Sequence, residues 1–202
     1  MGKLDINKKH KEDSLLNTAF KFFTTKGFSK TSITDIVDDA GVAKGTFYLY
    51  FKDKYDIRNK LVSHKSSQIF RNAVEELIAQ SKPLSFEEKI ISLIDNIINQ
   101  LNENKSLLTF ISKNLSWGIF KTALTTPTAG DDINFKDVYF QMLEESPVKI
   151  NEPEIMLFMI VELVSSTCYL AILYQEPCSL DVLKPHLYES IRSIIQNHEC
   201  SQ

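Results

Sequence analysis

Lys44, Thr46, Tyr48 and Tyr50 place four hydrogen-bond donors at alternate positions within GFSKTSITDIVDDAGVAKGTFYLYFKDK, residues 27–54. Phe47 and Phe51 are interleaved with them at i and i+4, a helical spacing that turns both rings inward and leaves the donors on the outer side. Ammonium, hydroxyl and phenol groups so arranged suit non-covalent recognition of phosphates and base edges. Gly45 sits among them, and its missing side chain lets the backbone approach a ligand closely. Lys52 and Lys54 flank Asp53, an N-cap for the next helix, which sets Lys54 where phosphate contact is favourable.

Two short helices must position this row. The first starts at Thr31 or Ser32, with Asp35 spaced to close a capping box on Ser32. Ile33, Ile36, Val37 and Ala40 then share one face. Gly41 stops the helix at a left-handed position, Val42 turns inward, and a second helix runs from about Ala43 to Phe51. Helices joined by so short a turn cross at roughly 90–120°, the geometry that sets a second helix into the DNA major groove.

The run Ala40-Gly41-Val42-Ala43-Lys44-Gly45-Thr46-Phe47-Tyr48-Leu49-Tyr50-Phe51, followed by Lys52-Asp53-Lys54, resembles the recognition segment of the TetR family of transcriptional regulators. Upstream, Ala19-Phe20, Phe23, Gly27 and Thr31-Ser32 resemble that family's first helix and the start of its second, so the likeness covers about the first 60 residues. The resemblance implies base-edge contact from Lys44 and Gly45, and phosphate contacts from Thr31, Ser32, Thr46, Tyr48, Tyr50 and Lys54. Two positions depart from the family pattern. Ala43 stands where a serine is common, removing a hydroxyl cap at a cost of about 1 kcal/mol. Leu49 replaces an aromatic or histidine.

Composition agrees with an all-helical regulator. The chain has 202 residues, 43% of them hydrophobic, with only six glycines and six prolines, and extended alternating patterns are scarce. The reading is all-α with about nine helices: a three-helix helix-turn-helix DNA-binding domain over residues 1–54 and a larger helical bundle for ligand binding and dimerisation over 55–202. Residues 1–60 hold 12 Lys and Arg against 8 Asp and Glu, a charge of +4, whereas residues 61–202 hold 11 against 18, a charge of −7. A basic module on an acidic body fits a nucleic-acid partner at one end only. Lys3, Lys8, Lys9 and Lys11 read as a segment preceding the first helix, either a phosphate-binding arm or a solvated tail.

Nothing in the sequence calls for catalysis, a metal or a cofactor. His10, His64, His186 and His198 are scattered without HExxH or a paired nucleophile. Cys168, Cys178 and Cys200 lack ligand spacing, and their odd number in a chain without a secretory signal points to reduced, cytoplasmic thiols. The most apolar stretch, 155–174, includes Glu162 and the Ser165-Ser166-Thr167 cluster, which favours a buried helix over a membrane span.

In the body, the periodicity predicts helices over about 54–80, from Ser85 through Leu101, 106–124, 132–145, 154–175 and 180–198, with a loop at 125–134. The apolar residues of 154–175 cover more faces than one monomeric core uses, and Leu183, Leu187, Ile191, Ile194 and Ile195 form a second stripe beyond Pro185, which either kinks that helix or marks its start. The TetR resemblance implies a homodimer through these last two helices. Two recognition helices about 34 Å apart would then read a palindromic operator in double-stranded DNA. It further implies a small-molecule effector cavity, for which Phe110, Asn114, Trp117, Phe120, Tyr139, Phe158, Glu162 and Tyr169 are the candidate lining, with Phe135, Gln141 and Thr167 as further contacts. Glu162, a carboxylate on an apolar helix, needs a partner, either a cationic ligand or a structural one. The implied mechanism is two-state: effector favours a conformation in which the helix from Lys54 tilts and operator affinity falls. The competing readings are a DNA-binding regulator that takes no small molecule, and a helical-bundle enzyme.

Overall fold

The computed structural model describes residues 3–80, 82–125 and 135–200, and the side chains of 3–6, 124, 125 and 135 lie outside that description. The described chain forms ten helices: α1 Lys3–Thr25, α2 Ile33–Asp39, α3 Lys44–Tyr50, α4 Lys54–Ala79, α5 Phe86–Glu103, α6 Lys105–Asn114, α7 Trp117–Thr125, α8 Phe135–Glu144, α9 Pro153–Tyr174 and α10 Leu180–Asn197. Extended pairing among the described residues is limited to one isolated antiparallel bridge, Ile150 with Glu199. The loop expected at 125–134 and the expected helix start near 132 fall almost wholly outside the described residues.

The chain divides into two compact units, Met1–Lys65 and Ser66–Gln202. That division falls within α4, later than the 54/55 boundary suggested by sequence: α4 starts at Lys54 and runs unbroken to Ala79, and its first turns bury Ile57 and Leu61. In the first unit Leu15, Ala19, Ile36, Phe47, Phe51, Ile57 and Leu61 are almost wholly buried. Helix α1 already includes Lys8, Lys9 and Lys11, and Lys3 begins it. They therefore do not precede the helix as an arm: the stretch from Lys3 to Thr25 contains no glycine or proline to break it.

In the second unit the core joins α4, α5, α8, α9 and α10 through residues such as Val74, Ile98, Tyr139, Met156, Ile160 and Ile191. Helix α5 starts with a full capping box, Ser85 Oγ accepting from the Glu88 amide at 3.2 Å while the Ser85 amide donates to Glu88 Oε2 at 2.8 Å. The single helix expected over 106–124 is two. Leu115 takes an extended conformation after α6, and Ser116 restarts the chain by accepting from Phe120 N at 2.8 Å and, through Oγ, from Ile119 N at 3.4 Å. The signal was an N-capping residue inside an apolar periodic run. Pro185 lies inside α10.

Helix α9 buries Met156, Ile160, Cys168, Ala171 and Ile172, while Ile155, Phe158, Met159, Leu170 and Tyr174 stay exposed. The apolar stripe of α10 behaves differently from the expectation of a free face. Leu187, Ile191 and Ile195 are buried, and Leu183 and Ile194 pack on the same core. Its amphipathic period lets one chain bury most of it, with Leu183 and Ile194 half-buried and Val182 exposed. Lys184 joins α10 to α5, with Nζ 2.6 Å from both Asp95 Oδ1 and Asn99 Oδ1, and the Tyr188 hydroxyl donates to the same Asp95 oxygen. Partial burial pushes the Asp95 carboxyl upward, but its hydrogen bonds from Lys184 and Tyr188 outweigh this and hold it below the ordinary range.

Candidate nucleic-acid interface

Helix α2 is fixed at both ends. Asp35 Oδ2 accepts from the amide and hydroxyl of Ser32, each at 2.7 Å, and the Asp35 amide donates to Ser32 Oγ at 3.0 Å. Those two Ser32 bonds, with Lys26 3.3 Å away, hold the Asp35 carboxyl down at about 2. At the far end Gly41, with φ +67°, closes a Schellman turn: Val42 N donates to Val37 O at 3.0 Å and Gly41 N to Asp38 O at 3.3 Å. This sets the entry into α3, whose N-cap Ala43 has no side-chain cap hydrogen bond. Phe47 is fully buried, its ring 5.5 Å from that of Phe51 and 5.4 Å edge-on to that of Tyr48.

The donor row is divided by the fold. Lys44 and Gly45 are exposed, Tyr48 is 53% exposed, and Thr46 and Tyr50 are half-buried. Thr31 is 1% exposed and its hydroxyl donates to Gly27 O at 2.9 Å, so the phosphate contact expected from it is replaced by a positioning role. Its side chain is spent on the turn before α2. Lys54 is half-buried: Nζ donates to Phe28 O at 2.9 Å and Thr31 O at 2.8 Å, 4.5 Å from the Phe28 ring centre. A third ammonium hydrogen remains for phosphate. Asp53 Oδ1 caps α4 by accepting from the amides of Tyr55 and Asp56, both at 2.8 Å. Leu49, 81% exposed, presents a large apolar side chain on the outer side of α3 that sequence reasoning gave no role. Its exposure suits a thymine methyl in a major groove.

Gly45 is exposed, and a Cβ built on it meets no atom within 4 Å. Packing within the protein does not require glycine here. Gly45→Ala should therefore leave the fold as stable or raise stability by about 0.5–1 kcal/mol, since glycine costs a helix that much, while weakening DNA binding by about 1–3 kcal/mol through a methyl forced into a close backbone contact. Thermal unfolding and a duplex-binding titration read the two effects separately. Lower stability together with unchanged DNA affinity would refute the contact.

The Ser66–Gln202 unit contains a cavity of about 660 Å³ between α4, α5, α6, α7 and α9. Of the residues expected to line it, Trp117, Phe120, Glu162 and Tyr169 do so, and Phe110, Asn114, Tyr139 and Phe158 do not. Phe110 and Tyr139 are buried core, the Tyr139 hydroxyl donating to Pro153 O at 2.9 Å. Asn114 Nδ2 turns back to Phe110 O at 2.7 Å. Phe158 stands edge-on to Trp117 at 5.0 Å. Gln141 donates to Glu145 at 2.8 Å and Thr167 to Leu163 O at 2.7 Å. Glu162 is solvent-exposed on the cavity wall, so its carboxylate carries no burial cost that would require either of the partners considered for it. Sequence reasoning missed the aliphatic wall supplied by α5, including Ile94, Ile97 and Leu101, because such a stripe is indistinguishable from plain core until the helices are packed. Cys168 is buried, and burial pushes its thiol up to about 11, which makes it an inert core thiol. No group of three or more His, Cys, Asp or Glu that could hold a metal ion occurs among the described residues.

A helix-turn-helix unit ahead of a larger helical unit is the class of protein that fold and site define. Residues 15–61 match the family described as bacterial regulatory proteins, tetR family. The HTH-type transcriptional regulator YvdT of Bacillus subtilis (strain 168), itself uncharacterized, is 43% identical over 63 residues, 29% of this chain and 32% of YvdT. Among solved structures, a TetR-family transcription regulator from Shewanella sp. PV-4 superposes with a TM-score of 0.65 at 16% identity, over 95% of this chain and 99% of that one. FadR from Bacillus subtilis in complex with stearoyl-CoA gives 0.62 at 19% identity, over 90% of this chain and 98% of that one. The chain spans about a third of the length of the first curated relatives it matches, 36% and 32%. The first helices therefore match the tetR-family model, and the whole chain has the fold of solved TetR-family structures.

Proposed function

We propose that the protein is a sequence-specific DNA-binding transcriptional regulator, a repressor that leaves a palindromic operator when a small molecule occupies the cavity of the Ser66–Gln202 unit. The observation that carries this reading is the exposed row Lys44, Gly45 and Tyr48 on a helix held by a Schellman turn on one side and a buried Phe47 on the other. Lys44 and Gly45 would meet base edges; Ser32, Thr46, Tyr48, Tyr50 and the free hydrogen of Lys54 would meet phosphates. The reading places the protein with DNA in the cytoplasm.

Helix α9 supports a homodimer. It is long and apolar enough by length and composition to cross a membrane, yet one face packs into the helical core while Ile155, Met159 and Leu170 are left exposed. A second copy of the same face would cover them, α10 flanking the contact with its polar side. An effector is supported by the apolar cavity and by the stearoyl-CoA complex of FadR, which has this fold. Ser66, Ile69 and Phe70 on its wall belong to α4, the helix whose Lys54 holds the carbonyls of Phe28 and Thr31. A ligand with different affinity for two positions of α4 would change operator affinity by about 5- to 150-fold.

Selection of bound sequences from random duplex DNA, at two salt concentrations because phosphate contacts are salt-dependent, tests the reading. One palindrome should emerge. Against it, Lys44→Ala should cost about 1–3 kcal/mol and relax preference at one position of each half-site. Tyr48→Phe should weaken all sequences alike, by about 1.5–3 kcal/mol for a lost bond to a charged group. Absence of enrichment at either salt would overturn the proposal.

A further inference from the structure

Within the cavity of the Ser66–Gln202 unit, one polar group stands apart. Ser66 is 3% exposed and lies on the cavity wall, and its Oγ has no hydrogen-bond partner. A helical hydroxyl ordinarily returns to a carbonyl one turn back. Thr109 donates in this way to Lys105 O at 2.9 Å, Ser190 to His186 O at 2.9 Å and Ser193 to Glu189 O at 3.0 Å. The neighbouring Ser67 Oγ also has an acceptor, Ala123 O at 2.8 Å. Ser63 Oγ, one turn before Ser66 on α4, lacks a partner as well but does not line the cavity. A buried, unpartnered hydroxyl is costly, so a ligand atom that completes it is favoured.

The surrounding wall defines the rest of the ligand. Ile69, Ile94, Ile97, Leu101, Leu108 and Ile111 make most of it aliphatic and branched, with Trp117 stacked on Phe120 at 5.1 Å on one side. Flexible chains conform to such a surface, and burying them releases ordered water. Lys113 and Glu162 are the only charged side chains among the described lining residues, and both are solvent-exposed. The buried part of the described wall therefore offers no counter-charge, which disfavours a charged group buried against Ser66.

We propose that the cavity takes a molecule with a flexible aliphatic chain carrying a neutral oxygen, a hydroxyl or carbonyl, that pairs with Ser66 Oγ. The proposal rests on the reading of this cavity as the effector site and names the class of effector. Ser66 is a binding residue with a defined role: it accepts from a hydroxyl or donates to a carbonyl, and it selects an oxygenated chain over a plain hydrocarbon of the same length.

Trp117 is the single tryptophan of the chain and lies on the cavity wall, so its fluorescence reports occupancy directly. The experiment titrates purified full-length protein with straight-chain 1-alkanols from 1-hexanol to 1-decanol, and with 1-chlorooctane as a chain without a hydroxyl. Affinity should rise by up to about fourfold per added methylene until the cavity is filled. In Ser66→Ala, 1-octanol should bind about three- to tenfold more weakly, the loss of one hydrogen bond, while 1-chlorooctane binds as before. The substitution removes an unpartnered group, so unfolding temperature should hold or rise, separating lost contact from lost fold. Equal effects on both ligands, or affinity indifferent to chain length, would overturn the Ser66 role. Operator binding is measured in parallel. If 1-octanol binds in a Ser66-dependent way and operator affinity does not change, the subsite stands and the effector reading falls; if no alkanol alters Trp117 while operator binding is intact, the ligand class is wrong and the DNA-binding reading is untouched.

Discussion

With glutamate introduced by Met159→Glu and Leu170→Glu together, the protein should sediment as a monomer and lose at least about a hundredfold in affinity for a two-half-site operator. That factor is the typical advantage of joining two binding events in one molecule. Both positions lie on the exposed side of α9, 43% and 45% exposed, and neither belongs to the buried core. Substitution at such sites usually costs a single chain no more than about 0.5 kcal/mol. In a two-fold dimer each added carboxylate would be desolvated, and the exposed Glu162 of the facing helix would add to the repulsion. Affinity for an isolated half-site should be unchanged. Sedimentation equilibrium and titration of full and half operators give the comparison; a variant that stays dimeric and keeps full operator affinity would remove α9 from the interface.

The second large effect lies in the reader itself. Phe47→Ala should destabilise the Met1–Lys65 unit by about 3–5 kcal/mol, the usual cost of removing a fully buried aromatic side chain. Phe47 has no exposed surface, and its ring contacts Phe51 and Tyr48, so it carries both the packing of α3 and the posture of an outward donor. A domain's whole stability is about 5–15 kcal/mol, so much of it would go. Amide exchange should accelerate in α2 and α3 while α5 and α9 keep their protection, and DNA binding should disappear. Gly45→Ala, two residues away, should impair binding with no such loss of protection. If Phe47→Ala left exchange in α3 unchanged, the argument that this ring anchors the helix would fail.

How far the site was legible depended on whether its physics is local. The Ser32–Asp35 capping box and the Gly41 turn involve residues no more than five apart, and both appear as the sequence predicts. The same holds for Asp53 as the cap of α4. Lys54 went otherwise, because its partners Phe28 O and Thr31 O lie 26 and 23 residues away and are set by packing. Thr31 bonds only four residues back, to Gly27 O, a local use that competes with its hydroxyl's alternative of meeting a phosphate. A hydroxyl or ammonium reads the same in sequence whether it is satisfied by a neighbouring carbonyl or kept for a phosphate.

Sequence by itself determined the all-helical class and the helix-turn-helix, since periodicity, caps and a left-handed glycine act over one or two turns of chain, whereas packing decided that Lys44 and Tyr48 stay exposed and Thr46 and Tyr50 are half-buried. Sequence also separated a basic first unit from an acidic remainder. Only tertiary structure decided that Leu187, Ile191 and Ile195 of α10 are buried inside their own unit whereas α9 keeps a wider uncovered face. The same holds for the cavity, where aliphatic residues of α5 replace half of the expected aromatic lining and Ser66 is left without a partner. An apolar or hydroxyl side chain has one chemistry but several possible neighbours, and burial, partnership and vacancy arise only when distant helices are packed together.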